Sequence, residues 1–240
     1  MKIISGMKNT LSISVSLFNT RPQNIEKIIK TYQAYEIIDE ILIVSLKQEK
    51  CPIEHNGKVK WIYMPKESDL GLLSRYTFAL SCKNRSVLIQ DDDWLYDETQ
   101  IKGLLLQNKP MAGFHPRWFY DNEYQKQPPE NNKGFAPILL TCGVLIDTMY
   151  LPACIQQAKV FYKPYEYQEI FNGEDIFMSR SIAYSSGEQK FPFLTQGITP
   201  LDMSDPLWEK NDGSRTEVTY NIYKFFEWYP KYEHFGATWD

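Results

Sequence analysis

Val87 to Gln90 (VLIQ) is a short apolar run that ends abruptly in three consecutive carboxylates, Asp91, Asp92 and Asp93, followed by Trp94. A strand apolar at successive positions has no polar face, so it must be covered on both sides. Leu11 to Phe18 (LSISVSLF) alternates apolar and small residues as a strand does, Ile41 to Leu46 (ILIVSL) reads as a second buried strand, and Val59 to Tyr63 as a third. After the first of these, Pro22 suits a helix's first turn, and Ile25, Ile28, Ile29 and Tyr32 recur on one helical face. Leu72, Leu73, Tyr76 and Leu80 mark a second helix before VLIQ. Strands alternating with helices imply an α/β fold, a Rossmann-like, mainly parallel sheet flanked by helices.

The second half is less regular. Met111 to Phe114 (MAGF) and Ala136 to Ile146 read as strands, and Tyr120 to Gly134, with Pro128 and Pro129, as a loop or hairpin insertion. Helices are expected over Met149 to Val160 and Glu174 to Ser186, the latter stopped by Gly187. No repeat and no Gly/Ser linker divides the chain. One domain over 1–240 is therefore expected, with a ligand-binding half at about 11–110 and a more irregular half at about 111–240.

With 240 residues, 43% hydrophobic and 23% charged, the chain has the composition of a folded protein. Its 26 Lys and Arg against 30 Asp and Glu give a net charge of −4, which supplies no overall positive field for nucleic acid or anionic lipid. Cys51, Cys82, Cys142 and Cys154 form no CxxC pair, and reduced thiols are expected. The run at Leu11 to Phe18 is far short of the ~20 residues that span a bilayer and has no secretory-signal pattern. The expectation is a chain with no membrane-spanning segment in a cytosol-like compartment.

In open α/β sheets, ligands bind beyond the carboxyl ends of the strands, and clustered Asp oxygens are hard ligands for Mn²⁺ or Mg²⁺. The triplet would repel itself unless a cation sat there. The alternative is an exposed acidic turn capping the next helix near Asp97 and Glu98. A second acidic site, Asn172 to Ile176 (NGEDI), starts the helix at Glu174, where Glu174 and Asp175 could instead act only on the helix dipole. Arg21, Arg75 and Arg215 carry the planar fork that grips phosphate oxygens, with surface solvation as the alternative. His55, His115 and His234 form no zinc-binding pattern. Trp118, Phe119 and Tyr120 enter a polar stretch, where an aromatic face could stack on a sugar; core packing is the alternative.

Taken together, Arg21, Arg75, DDD at 91 to 93, GFHPR at 113 to 117 and NGEDI resemble the exostosin-like glycosyltransferases, glycosyltransferase family 64, of the GT-A fold. The resemblance implies a UDP-linked donor, N-acetylhexosamine or a related sugar, a glycan acceptor, and retention at the anomeric carbon. It places the Asp-x-Asp motif on Asp91 to Asp93, with the metal held by Asp93 and Asp91, and nucleotide-sugar contacts on Arg21, Arg75, Asp91 and Asp92. Asp175, with Glu174, would stand beside the reacting sugar carbon, and Arg215 in GSRT would face the diphosphate. His115, Arg117 and Trp118 would lie on the acceptor side. The chain departs from the family at Ser45, Leu46 and Lys47, where a Trp-Asn-Asn run is usual, at Asp69 and Leu70, where an Asn is expected, and at Gly173, often Cys. Two other functions remain open: a sugar-binding module of the same fold without catalysis, and a metal-dependent phosphoryl or nucleotidyl transferase, which would lack a P-loop here.

Overall fold

The computed structural model describes residues 13–19, 21–45, 49–51, 53–65, 71–129, 134–162, 173–203 and 215–229. Leu46, Lys47, Asp69, Leu70, Asn172, Gly213 and Ser214 lie outside the described residues. The first half runs β1 (Ile13–Asn19), α1 (Pro22–Gln33), β2 (Ile38–Ser45), β3 (Val59–Tyr63), a 3₁₀ turn (Gly71–Leu73), α2 (Ser74–Ala79), β4 (Ser86–Gln90), β5 (Trp94–Tyr96) and α3 (Glu98–Leu105). There follow β6 (Met111–Gly113), β7 (Pro116–Tyr120), β8 (Glu123–Gln125), β9 (Phe135–Ala136), β10 (Ile138–Leu139) and β11 (Gly143–Asp147). A second 3₁₀ turn (Thr148–Tyr150), α4 (Leu151–Phe161), α5 (Glu174–Ser186), β12 (Phe191–Pro192), β13 (Ile198–Pro200) and α6 (Arg215–Trp228) complete the described elements.

The main sheet has six strands in the order β3-β2-β1-β4-β11-β6. β1 pairs in parallel with β2 and β4, and β2 with β3, while β11 runs antiparallel to both β4 and β6. The sheet is thus mainly parallel, with one reversed strand. Side chains alternate across it as the pleat requires. Val87, Ile89, Val144 and Ile146 join the core under α2, α4, α5 and α6, whereas Leu88 and Leu145 join the core under α1 and α3. Ile25, Ile28, Ile29 and Tyr32 are fully buried, as the 3.6-residue spacing predicts.

Two sequence expectations are corrected. Ala136 to Ile146 is not one strand: β9, β10 and β11 share it, and the turn before β11 carries Thr141 and Cys142 past the carboxyl end of β4, where the N–H of Asp91 reaches the carbonyl of Cys142. β5 was not expected and pairs antiparallel with β13, Trp94 opposite Pro200. The partners lie far away in the chain, β4 for β11, β12 for β9 and β13 for β5, and local periodicity does not report such pairings. The polar stretch after Trp118 is a hairpin, with β7 antiparallel to β8 through Asp121 and Asn122, both in the left-handed region that Asp and Asn tolerate.

Candidate active site

The acidic turn follows β4, at the carboxyl end of the parallel strands. Its backbone is pinned on two sides. Gln90, 2% exposed at the last position of β4, donates from Nε2 to the carbonyls of Asp91 (3.3 Å) and Trp94 (3.1 Å), and accepts from Tyr32 (2.7 Å). Leu201, just past β13, donates its backbone N–H to the carbonyl of Asp93 at 2.7 Å. A turn held at three carbonyls keeps its side chains in fixed directions.

The three carboxylates take different environments. Asp92 is 2% exposed and accepts from the backbone N–H of Arg21 (2.5 Å) and from its guanidinium (2.7 Å). It holds the chain where β1 passes into α1. Asp91 is 36% exposed and accepts from Arg75 at 2.9 Å. Asp93 Oδ2 lies 3.6 Å from Arg21, but its Oδ1 is buried and, among the described residues, accepts no hydrogen bond. Burial, with Asp91 and Asp92 against the opposing pull of Arg21, pushes the Asp93 carboxyl up to about 6. A buried carboxylate oxygen without a donor is a costly arrangement, and a bound cation relieves it.

Across the site, α5 begins at Gly173, whose φ of +90° and whose space permit only glycine: a Cβ there would stand 2.4 Å from Val218 Cγ1. Glycine at 173 is therefore a backbone requirement. Glu174 and Asp175 in the first turn are 6% and 4% exposed. Neither caps the helix as an N-cap side chain; Asp175 Oδ1 accepts from the N–H of Ile176 at 2.8 Å. Burial and the adjoining Asp175 push the Glu174 carboxyl up, with Arg75 opposing. Burial also pushes Asp175 up, with Arg215, the Ile176 N–H and Arg75 opposing.

Arg75 connects the two acidic sites. Its Nη1 donates to Asp91 Oδ1 and, at 2.8 Å, to Thr141 Oγ1, and lies 4.0 Å from Glu174 Oε1. Thr141 in turn donates to Glu174 Oε1 at 3.3 Å. Although burial opposes it, the surrounding carboxylates Asp91 and Glu174 hold the Arg75 guanidinium above the ordinary arginine range. Arg215, at the start of α6, lies 3.9 Å from Asp175 and donates to Tyr124 OH at 2.9 Å. Burial and Asp175 push that phenol up to about 12, so it stays protonated.

The structure thus brings Arg21, Arg75, Asp91, Asp92, Asp93, Glu174, Asp175 and Arg215 to one end of the sheet. His115 is also there, its ring tilted at 51° to that of Trp94 with the centroids 4.7 Å apart. Arg117 donates to the carbonyl of Pro116, and its Nε is buried without a partner among the described residues. Trp118 is different: at 3% exposure it packs edge-on against Phe193 in the core, so protein atoms already cover the face that a sugar would need. Core packing wins at that residue because β7 turns its alternate side chains inward. Gln90, Thr141, Tyr124 and Tyr96 belong to the site without having been singled out in the sequence. Only Gln90 carried a signal, an amide directly before the triplet at the end of an apolar strand.

Among the described residues, no group of three or more His, Cys, Asp and Glu converges as a metal cage. The donor set that fits a hard divalent cation is Asp93, with its unpaired Oδ1, and the more exposed Asp91; the remaining positions would fall to phosphate oxygens and water. Among the described residues, no helix is long and apolar enough to cross a membrane.

No protein-family model and no curated protein matches the chain. Among solved structures, it is similar to the crystal structure of GalNAc-T7 with UDP, GalNAc and Mn²⁺, at a TM-score of 0.56 and 12% identity over 81% of this chain. The match covers 44% of the GalNAc-T7 chain, so this protein corresponds to less than half of it. At that identity the likeness carries the fold alone, and the α/β fold of this chain is of the GT-A type.

Proposed function

We propose that this chain is a metal-dependent glycosyltransferase that moves a sugar from a nucleoside-diphosphate donor, a UDP-sugar, to a glycan acceptor with retention at the anomeric carbon. The observation that carries the reading is the join made by Arg75 between the acidic turn and the paired carboxylates of α5. A leaving diphosphate and a reacting sugar carbon need opposite charges side by side, and here cationic and anionic groups alternate within one buried site. The presence of UDP and Mn²⁺ in the GalNAc-T7 structure supports a UDP donor and Mn²⁺. The exostosin-like motifs add the assignment of roles.

Asp93 and Asp91 would hold the cation, which when bound neutralises charge on the departing diphosphate. Arg215 faces the diphosphate and, through its pairing with Asp175 and Tyr124, keeps a fixed direction. Asp175 presents negative charge to the carbon as the bond to the diphosphate oxygen breaks, while Arg215 and Arg75 favour its ionised form against burial. Glu174, bonded to Thr141, holds the floor of the site. Arg21 and Asp92, locked together, set the position of the first turn of α1 against the acidic turn.

Hydrolysis of a panel of UDP-sugars and GDP-sugars with Mn²⁺ tests this directly, with release of UDP from one sugar expected. Calorimetry with UDP and Mn²⁺ separates the alternative: a sugar-binding module without catalysis would bind neither.

A further inference from the structure

His115 sits where β6 ends, in a hydrogen-bond relay that reaches the acidic turn. Tyr96 OH lies 2.5 Å from the carbonyl of Cys142 and 2.9 Å from His115 Nε2, and the carbonyl of Cys142 also accepts from the N–H of Asp91 at 3.4 Å. A phenol has one proton, and a carbonyl can only accept. The Tyr96 proton therefore goes to Cys142, and the bond to His115 exists only if the imidazole donates from Nε2. Burial and the nearby Arg117 disfavour a second proton on the ring, which agrees with this neutral form. One proton on Nε2 leaves Nδ1 as a bare lone pair. Among the described residues, nothing hydrogen-bonds to Nδ1, and it is not among the buried side-chain atoms left without a partner.

Resting on the transferase reading above, we infer that His115 is a specificity-determining residue whose Nδ1 accepts a hydrogen bond from a hydroxyl of the donor sugar. It does so rather than lie on the acceptor side, as the resemblance implies, because the relay and Trp94, next to Asp93, tie it to the acidic turn; Trp94 is the apolar wall. Tyr96 is the positioning residue that fixes the tautomer. The geometry is guarded from the other side by Gly143, where a Cβ would stand 2.1 Å from Tyr96 OH. A ring held neutral is a poor proton acceptor in a transition state, so its work is recognition of a hydroxyl rather than its deprotonation. Only an acceptor is offered at this point, and a sugar lacking the hydroxyl, or turning it away, leaves Nδ1 unpaired.

The test uses protein labelled with ¹⁵N at histidine, with the H115Q variant identifying the His115 resonances among the three histidines. At neutral pH the free protein should show protonated Nε2 and bare Nδ1. With diamagnetic Mg²⁺ in place of Mn²⁺, whose unpaired electrons would broaden nearby resonances, one of UDP-glucose, UDP-galactose, UDP-GlcNAc and UDP-GalNAc should shift the Nδ1 resonance where UDP alone does not. Glutamine keeps an amide N–H at the Nε2 position and asparagine places an oxygen at the Nδ1 position. H115Q should therefore melt like the parent but weaken that UDP-sugar roughly tenfold, and H115N should retain more of the sugar affinity. A proton on Nδ1, or binding of a UDP-sugar with Nδ1 unmoved, overturns the role of His115 while leaving the transferase reading intact. Equal UDP-sugar affinity in the parent and both variants does the same. Failure of the parent to bind any of the four takes both down.

Discussion

Arg75 Nη1 lies 2.9 Å from Asp91 Oδ1 and 4.0 Å from Glu174 Oε1, so one guanidinium spans the turn after β4 and the first turn of α5. The two carboxylates are 83 positions apart in the chain (174 minus 91). Thr141, from the bend before β11, closes the same circuit by accepting from Arg75 and donating to Glu174. This shared cation lets two acidic sites approach each other in a buried space, where either alone would be disfavoured.

Asp93→Ala should abolish Mn²⁺-dependent UDP binding while the protein stays folded. Asp93 carries a carboxyl held above its ordinary value, so its charged form is a cost to the fold that is fully present above about pH 6 and vanishes below the unfolded value near 3.8. Allowing for screening at a partly open site, Asp93→Asn should gain about 1 kcal/mol at pH 7.5 and nothing at pH 3.5. Paired melting curves and UDP calorimetry check both; undiminished Mn²⁺ dependence in Asp93→Ala would remove the metal assignment.

Arg75→Lys keeps the charge and could still bond Asp91 and Thr141 from one nitrogen, but it loses the planar fork that grips phosphate oxygens, and it should weaken UDP binding by about tenfold. Arg21→Lys should act on stability as well, because Asp92 is almost fully buried and depends on that guanidinium; a loss of about 1–3 kcal/mol is expected. Denaturant midpoints separate the two, and parent-like behaviour in both variants would make these arginines surface residues in function.

Asp175→Asn should cut kcat by at least about a hundredfold with KM for the donor nearly unchanged, since only the charge facing the sugar carbon is removed. The helix start does not need that charge, because Asn tolerates the first turn at a cost of about 1 kcal/mol or less. Steady-state kinetics with Glu174→Gln alongside decide the matter: near-normal turnover in both places the catalytic carboxylate elsewhere.

Acid should destabilise the protein through His115. Burial and Arg117 lower its imidazole to about 4 against 6.5 in the unfolded chain, so above pH 6.5 the ring is neutral in both states and nothing is lost. Between pH 6.5 and 4 the unfolded chain takes up a proton that the folded one refuses, and stability falls by up to about 3 kcal/mol, levelling off below pH 4. His115→Gln should lack this part of the acid slope, as read from melting temperatures across that range.

Gly143→Ala should be among the most damaging single methyl additions, at about 2 kcal/mol or more, because its Cβ would overlap Tyr96, itself fully buried and stacked on Phe114 at 4.1 Å. Thermal melting checks it. Gly57→Ala is the control, since nothing lies within 4 Å of a Cβ there.

The sequence alone determined the segments whose information is local. The apolar spacing of α1, the bounds Glu174 and Ser186 of α5, the strand Val59–Tyr63 and the placement of three carboxylates beyond β4 all follow from periodicity and turn chemistry within a few residues. The acidic residues at the strand end and the helix start could be named as candidates from their positions, but only the family resemblance set them above an ordinary acidic turn and helix start, and Gln90, Thr141, Tyr124 and Tyr96 were not named at all. What each does was not legible. That Arg21 takes Asp92, that Arg75 is shared by Asp91 and Glu174, that Trp118 points inward and that Tyr96 fixes the proton on His115 depend on partners brought together by sheet order. The reversed β11 threads between β4 and β6 and delivers Thr141 and Cys142 to the acidic turn. Charge pairing and proton position are properties of distances between side chains, and those distances exist only once the strands have paired.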